Sequence, residues 1–461
     1  MTNLGAVERV EGRAIGARRL TMTQALAGYI ANERIENIDR AARDKIKWII
    51  AHHVGLSFRG LRGGEADAMR ALAVARELGE GLGTSTIIGQ GFRTSLIEAA
   101  AANSQLMRSY SQDDVLLKTG VHPALVTLPV ALGIAERHRL DGASLMTALA
   151  VGYEMLGKFA QWTWALEVPR RATMPFGPFG CMVTAARLLG FNDERTTVAL
   201  AYAAHNAMGL AEHDFGPISH YYPMVCRNGI AAAYYTKAGA WGSETVLEGK
   251  FGFIEAFLGG KTLDIDAVVS SMGSNYAVLD ITEKRYPGTG LNQVPIEQAR
   301  ALFREHRLGA GDIDGIEVSL PRERENFEAG HGTGPFVPGT APSSIAYHFA
   351  MLILDGDLDP ARYTQVENPA ILDLVARVRF TFVPDKAIRY SRVEIRTTDG
   401  RRLVKEGDFF AFEPRTPEQI MRRDAAGAIP DSAIERFLEM LERLEKLDDV
   451  GGLMACLRPN A

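Results

Sequence analysis

From Thr21 to about Phe257 the apolar residues of this chain recur every three or four positions, and beyond about Asn275 they begin to alternate. The first period lines one stripe of a helix, and the second lines one face of a strand. Neither structure satisfies the other's pattern. The chain is therefore predicted to build two units of different texture, and 461 residues are enough for two cores.

The first stretch reads as a series of helices. Ala41–Ser57 carries Ile46, Ile49, Ile50 and Val54 at helical spacing. Ser95–Tyr110 is alanine-rich and reads as a buried helix, and His122–His138 has a proline just after its first histidine, as helix starts favour. Asp141 is placed to cap a helix running to about Trp164. Gly177–Leu189, Asp193–Gly209 and Gly229–Gly242 continue the series, with Gly190 and Gly242 where C-caps fall. In the second stretch Ile313–Leu320, Val378–Val383 and Ser391–Arg396 alternate like half-buried strands. Asp399 and Gly400 form a turn signal before Arg401–Lys405, and Ser344–Leu354 reads as a helix. Past Thr416 the helical period returns, strongest over Ala433–Leu447. The expected fold is mainly α: a large all-helical domain (21–274) joined by C-terminal helices (406–461), plus a smaller α+β lid domain (275–405).

Charge and cysteine usage narrow the function. The net charge is -5, without a basic face for nucleic acid. No run of about 18 apolar residues is present to span a membrane, and the first residues lack the apolar centre of a secretion signal, so the cytoplasm is the expected compartment. Cys181, Cys226 and Cys456 are far apart and form no CxxC pair, so neither a zinc site nor a disulfide framework is expected.

Several short motifs, in order, resemble the MmgE/PrpD family, which includes 2-methylcitrate dehydratase, cis-aconitate decarboxylase and iminodisuccinate epimerase. Asn103, Asp113, Asp114, His122 and Pro123 are similar to its N-G-x-x-x-H-x-x-D-F-D-D…H-P block. Gly152, Tyr153 and Glu154 resemble its G-Y-E helix, and Gly177–Gly180 followed by Ala185–Gly190 resembles G-x-x-G…A-A-x-L-L-G. Arg227–Gly229 and Leu247–Phe253 are similar to later signatures, Lys284–Pro287 to K-x-Y-P, and Ser344–Tyr347 with Leu354–Gly356 to S-L-x-Y…L-x-D-G. The chain also departs from the pattern. Arg108 stands where the family has histidine, Ser111 where it has aspartate, and Arg171 where it has a second histidine. The lysine before R-N-G is missing, with His220 nearby, and Thr289 and Gln293 replace a cysteine and a histidine after K-x-Y-P.

The resemblance implies an enzyme that breaks a bond beside a carboxylate. Such chemistry needs cations for the carboxylates and a group that exchanges a proton near neutrality. His122 is the leading proton carrier, since an ordinary histidine titrates near about 6.5. Asp113 and Asp114 are candidates to orient it or act as base, and Lys284 and Tyr347 to complete the catalytic set from the lid. Arg108, Ser111, Arg171 and His220 are the expected substrate-binding residues; arginine forks grip carboxylates but cannot carry the proton. No metal ligand set is read: the spacing of His213, Asp214 and His220 matches no known signature. The expected function is a metal-independent lyase of dehydratase type on a small carboxylate or polycarboxylate, with no cofactor. Decarboxylase and epimerase or isomerase are alternatives within the family, and a non-catalytic homologue that binds an acidic ligand is a rival of another class. A homodimer is the expected assembly.

Overall fold

The computed structural model describes residues 20–164, 173–209, 221–258, 264–410 and 412–459. The fold is mainly α, with a smaller α+β region. Among the described residues no helix is long and apolar enough to cross a membrane, and all three cysteines are free and buried.

The helical part runs through Met22–Asn32, Arg40–Arg62, Ala66–Gly79, Leu96–Met107, Ala124–His138, Gly142–Trp164, Thr173–Leu188, Asp193–His205 and Tyr221–Lys237. Side-chain caps set several of the starts. Thr21 and Gln24 form a reciprocal box, and Asp39, Ser95 and Asn192 each accept a first-turn amide. Asp141 does the same for the Ser144 amide at 2.6 Å. Leu145, Leu149, Leu156, Phe159, Phe179 and Met182 are among the side chains that fill the shared core.

Glycine lets these helices approach one another. A Cβ at Gly152 would lie 2.2 Å from Thr184 Oγ1, so the Gly142–Trp164 and Thr173–Leu188 helices touch nearly backbone to side-chain root. Gly229 does not open a helix, as the sequence pattern implied. It sits inside Tyr221–Lys237, where a Cβ would lie 2.1 Å from Cys181 Sγ. Close packing, not chain termination, accounts for that glycine. The Pro417–Asp424 helix lies across Arg40–Arg62 in the same manner, with Gly55 against Ile420.

The α+β region carries a four-stranded sheet in the order Val378–Val383, Ile313–Pro321, Ser391–Thr397, Arg402–Gly407. The first pair is parallel and the others are antiparallel. Ile316, Val318, Val393 and Ile395 belong to a second core with the Gln293–Glu305 and Ile345–Asp355 helices. The edge strand Arg402–Gly407 alternates half-buried with exposed residues, as a one-sided strand should. One residue of the helical part, Tyr110, also belongs to this second core.

Candidate active site

The Leu96–Met107 helix ends at Arg108, and the chain then turns through Tyr110 (φ 58°) and Ser111 (φ 52°). Two consecutive non-glycine residues in the left-handed region cost on the order of 1–3 kcal/mol each and persist only where the surroundings enforce them. Here the Ser111 amide donates to the Arg108 carbonyl at 2.8 Å, and the Gly288 amide donates to the Tyr110 carbonyl at 2.9 Å. The turn delivers Asp113 and Asp114 into the interior, where both are buried.

The two carboxylates face different partners. Asp114 Oδ2 accepts the Tyr153 hydroxyl at 2.6 Å, and Oδ1 accepts the Ala124 amide at 3.2 Å, at the start of Ala124–His138. A carboxylate there also meets the positive end of the helix dipole. The Asp114 amide donates to His53 Nε2 at 3.3 Å, so the ring proton of His53 sits on Nδ1, 2.8 Å from the Ile49 carbonyl. Both oxygens of Asp114 are thereby engaged in holding the loop.

Asp113 instead meets ionisable groups. His122 Nδ1 lies 2.5 Å from Asp113 Oδ2 and 2.9 Å from the Asp114 carbonyl oxygen. The Asp114 carbonyl, with the Asp113 carboxylate in ionic contact, places the ring proton on Nδ1 and leaves Nε2 as the basic nitrogen. Lys284 Nζ is 3.5 Å from Asp113 Oδ1 and donates to the Ser111 carbonyl at 2.6 Å. Burial alone would raise the Asp113 carboxyl, but Lys284, His122 and Arg108 outweigh it and hold the group well below the usual carboxylate range. Burial pulls the Lys284 ammonium down, with Arg108 adding to that effect while Asp113 opposes it. His122 keeps 19% of its side chain exposed, against 2% for Asp113, so the pair has a buried end and an open end.

Arg108 is buried beside this pair, its guanidinium 5.8 Å from the centre of the Tyr222 ring. Burial disfavours its charge, but Tyr222, Asp113, Asp67 and Glu65 more than offset that and keep it cationic. Tyr222 also meets the His122 ring edge-on at 6.2 Å, and the His122 amide donates to Thr173 Oγ1 at 3.1 Å. Gln112 ties the loop to the start of the α+β region: its Nε2 donates to the Lys284 and Arg285 carbonyls, each at 3.0 Å.

The structure thus brings Arg108, Asp113, Asp114, His122 and Lys284 together, with the Ser111 carbonyl accepting from Lys284. Tyr347 requires a correction: it lies on the apolar face of Ile345–Asp355, inside the second core. Its hydroxyl donates to the Arg362 carbonyl at 2.6 Å, and its ring packs on Phe336 and Tyr363. Arg171 and His220, like His213 and Asp214, lie outside the described residues. Along the chain they are two residues from Thr173 and Tyr222, both of which touch His122. Sequence reasoning missed His53, Gln112 and Tyr222, and it read Tyr153 only as part of a motif. His53 carried a signal, being a polar residue four positions after Ile49 on an otherwise apolar stripe.

Other family-like residues prove to be clamps. Arg227 grips Glu98 with two bonds of 2.9 and 2.6 Å. Glu154 accepts the Gly273 and Ala277 amides at 2.8 and 2.7 Å while paired with Lys158. Among the described residues no group of three or more histidine, cysteine, aspartate or glutamate side chains is placed to hold a metal ion.

Fold and site together define a helical body that carries a buried Asp–Lys pair and a half-open histidine against the root of an α+β region. The chain belongs to the MmgE/PrpD family: the sequence model of the MmgE/PrpD N-terminal domain matches residues 24–266, more than half of its length. Membership suggests a dehydratase-like or related enzyme that acts on small carboxylates.

Proposed function

We propose that the protein is a metal-independent lyase of dehydratase type, acting on a small hydroxy-carboxylate or polycarboxylate. The observation that carries this reading is the contact of His122 Nδ1 with an ionised Asp113, which leaves Nε2 as the basic nitrogen on the more exposed member of the pair. In the proposed reaction Nε2 takes the proton from the carbon beside a substrate carboxylate. The electron pair of that C–H bond becomes the new C=C bond, and the C–O bond to the neighbouring hydroxyl breaks. The imidazolium returns its proton to the departing hydroxide, which leaves as water. Asp113 stabilises the imidazolium between these steps. Arg108, held cationic beside the histidine, is the proposed anchor for the carboxylate that gathers charge, with Arg171 and His220 proposed as further binding residues. Lys284 is proposed to act through Asp113, by keeping that carboxylate ionised.

The test is incubation of the purified protein in D2O with a panel of small hydroxy-di- and tricarboxylates, 2-methylcitrate among them, followed by proton NMR. The expected result is an olefinic product from at least one member. Deuterium wash-in without an olefin moves the assignment to an epimerase, and a silent panel favours a binding protein.

A further inference from the structure

Beside the loop that carries Asp113, two adjoining cavities of about 470 and 230 Å³, neither of them lined by His122 or Asp113, share Gln112, Arg285, Arg415 and Arg423 as walls. The larger is lined by six arginines: Arg59, Arg62, Arg285, Arg300, Arg415 and Arg423. Its acidic groups are Asp357, Asp359 and Asp424, so the cavity keeps a formal excess of three positive charges. The smaller cavity adds Lys284, Glu283 and Glu413, of which Glu283 is already paired with Lys45.

The acids leave much of that charge unanswered. Asp424 pairs with its chain neighbour Arg423. Asp357 and Asp359 accept backbone amides at 2.9 and 3.0 Å. Arg285 reaches Glu297 only at 3.5 Å, and Arg300 bonds the Tyr286 hydroxyl at 3.0 Å. Arg62 makes two long contacts of 3.4 Å to carbonyls. Arg59 is stacked over Tyr110, its buried Nε without a hydrogen-bond partner, and the Tyr110 hydroxyl and Gln112 Oε1 are likewise buried and unpaired. Burial pulls the Arg59 and Arg415 guanidinium groups down, and Arg423 adds to this in both. Like charges gathered on one cavity repel one another unless an anion completes them, and planar forks suit oxyanions that accept two bonds at once. A cavity of this size matches small ligands.

We propose that this groove is a second binding site, for a compact oxyanion of two or more charges, either phosphate-bearing or polycarboxylate. It shares the candidate active-site loop: Tyr110 and Gln112 line the groove, and Asp113 meets His122. Lys284 joins the two sites, pairing with Asp113 and lining the smaller cavity, and Arg285 lines both cavities. The inference does not depend on which reaction the active site performs.

Calorimetric titration with pyrophosphate, and in parallel with citrate, at constant ionic strength tests it. At least one anion should bind saturably, and the tighter of the two identifies the ligand chemistry. Arg415→Gln and Arg62→Gln alter exposed side chains, so folding is expected to persist, and each should weaken binding about ten-fold or more. His122→Asn, at a residue that lines neither cavity, should bind the anion like the wild type. The proposal is overturned if neither anion binds at millimolar concentration. It is equally overturned if both arginine variants bind normally, or if only His122→Asn loses binding.

Discussion

Replacing Asp113 by asparagine removes the one carboxylate within 4 Å of Lys284 among the described residues. The two side chains are 1% and 2% exposed, so solvent screens their attraction little. At an effective dielectric of about 20, Coulomb's law gives about 5 kcal/mol across 3.5 Å, and breaking a buried pair by removing one partner costs about 3–5 kcal/mol. Lys284 has an escape, because burial already lowers its pKa and the orphaned ammonium can shed its proton. Asp113→Asn is therefore expected to lose about 3 kcal/mol, the low end of that range. Asp113→Asn/Lys284→Met should recover part of the loss, with a coupling of about 1–3 kcal/mol. Urea denaturation at neutral pH measures all four corners of the cycle. The pH dependence has a definite sign. The Asp113 carboxyl is depressed in the folded state, so its contribution is complete above the ordinary value near about 4 and is lost as pH falls toward the folded value. The gap between wild type and Asp113→Asn should close over that acid range. Additivity of the two substitutions within about 0.5 kcal/mol, or a gap that persists at low pH, would refute the reasoning.

Two further outcomes are expected. Tyr153→Phe removes the 2.6 Å bond to the buried Asp114 carboxylate and should cost about 1.5–3 kcal/mol in urea, whereas a loss under about 0.5 kcal/mol would mean that bond does not anchor the loop. Turnover on any substrate found should survive exhaustive chelation, because the proposed proton carrier is His122, supported by Asp113; activity restored only by added metal would contradict it.

The fold was legible where one period runs long enough. The helix of Ile46, Ile49, Ile50 and Val54 and the strands at Ile313, Val378 and Ser391 occur where their patterns place them. Helix ends were less legible: Gly229 looks like a boundary in sequence and is a contact in space. The site's membership could be read only through motifs, since Asp113 and Lys284 are 171 positions apart and nothing local signals their 3.5 Å approach. Tyr347 shows the limit of that reading, because a motif tyrosine on an apolar helix face is drawn into the core. His53 and Gln112 act through backbone groups, which residue types alone do not reveal.

The central claim is that His122 moves the proton. The most direct measurement compares wild type with His122→Asn, a change that keeps shape and polarity but removes the titrating ring. The readout is the rate of olefin formation and deuterium exchange on the best substrate of the carboxylate panel, with folding checked by urea denaturation. General acid–base assistance is worth about a hundred- to ten-thousand-fold. The account predicts a loss of that order in both rates, with stability unchanged within about 1 kcal/mol. A His122→Asn protein that turns over and exchanges at the wild-type rate contradicts it, and would place the base elsewhere in the site.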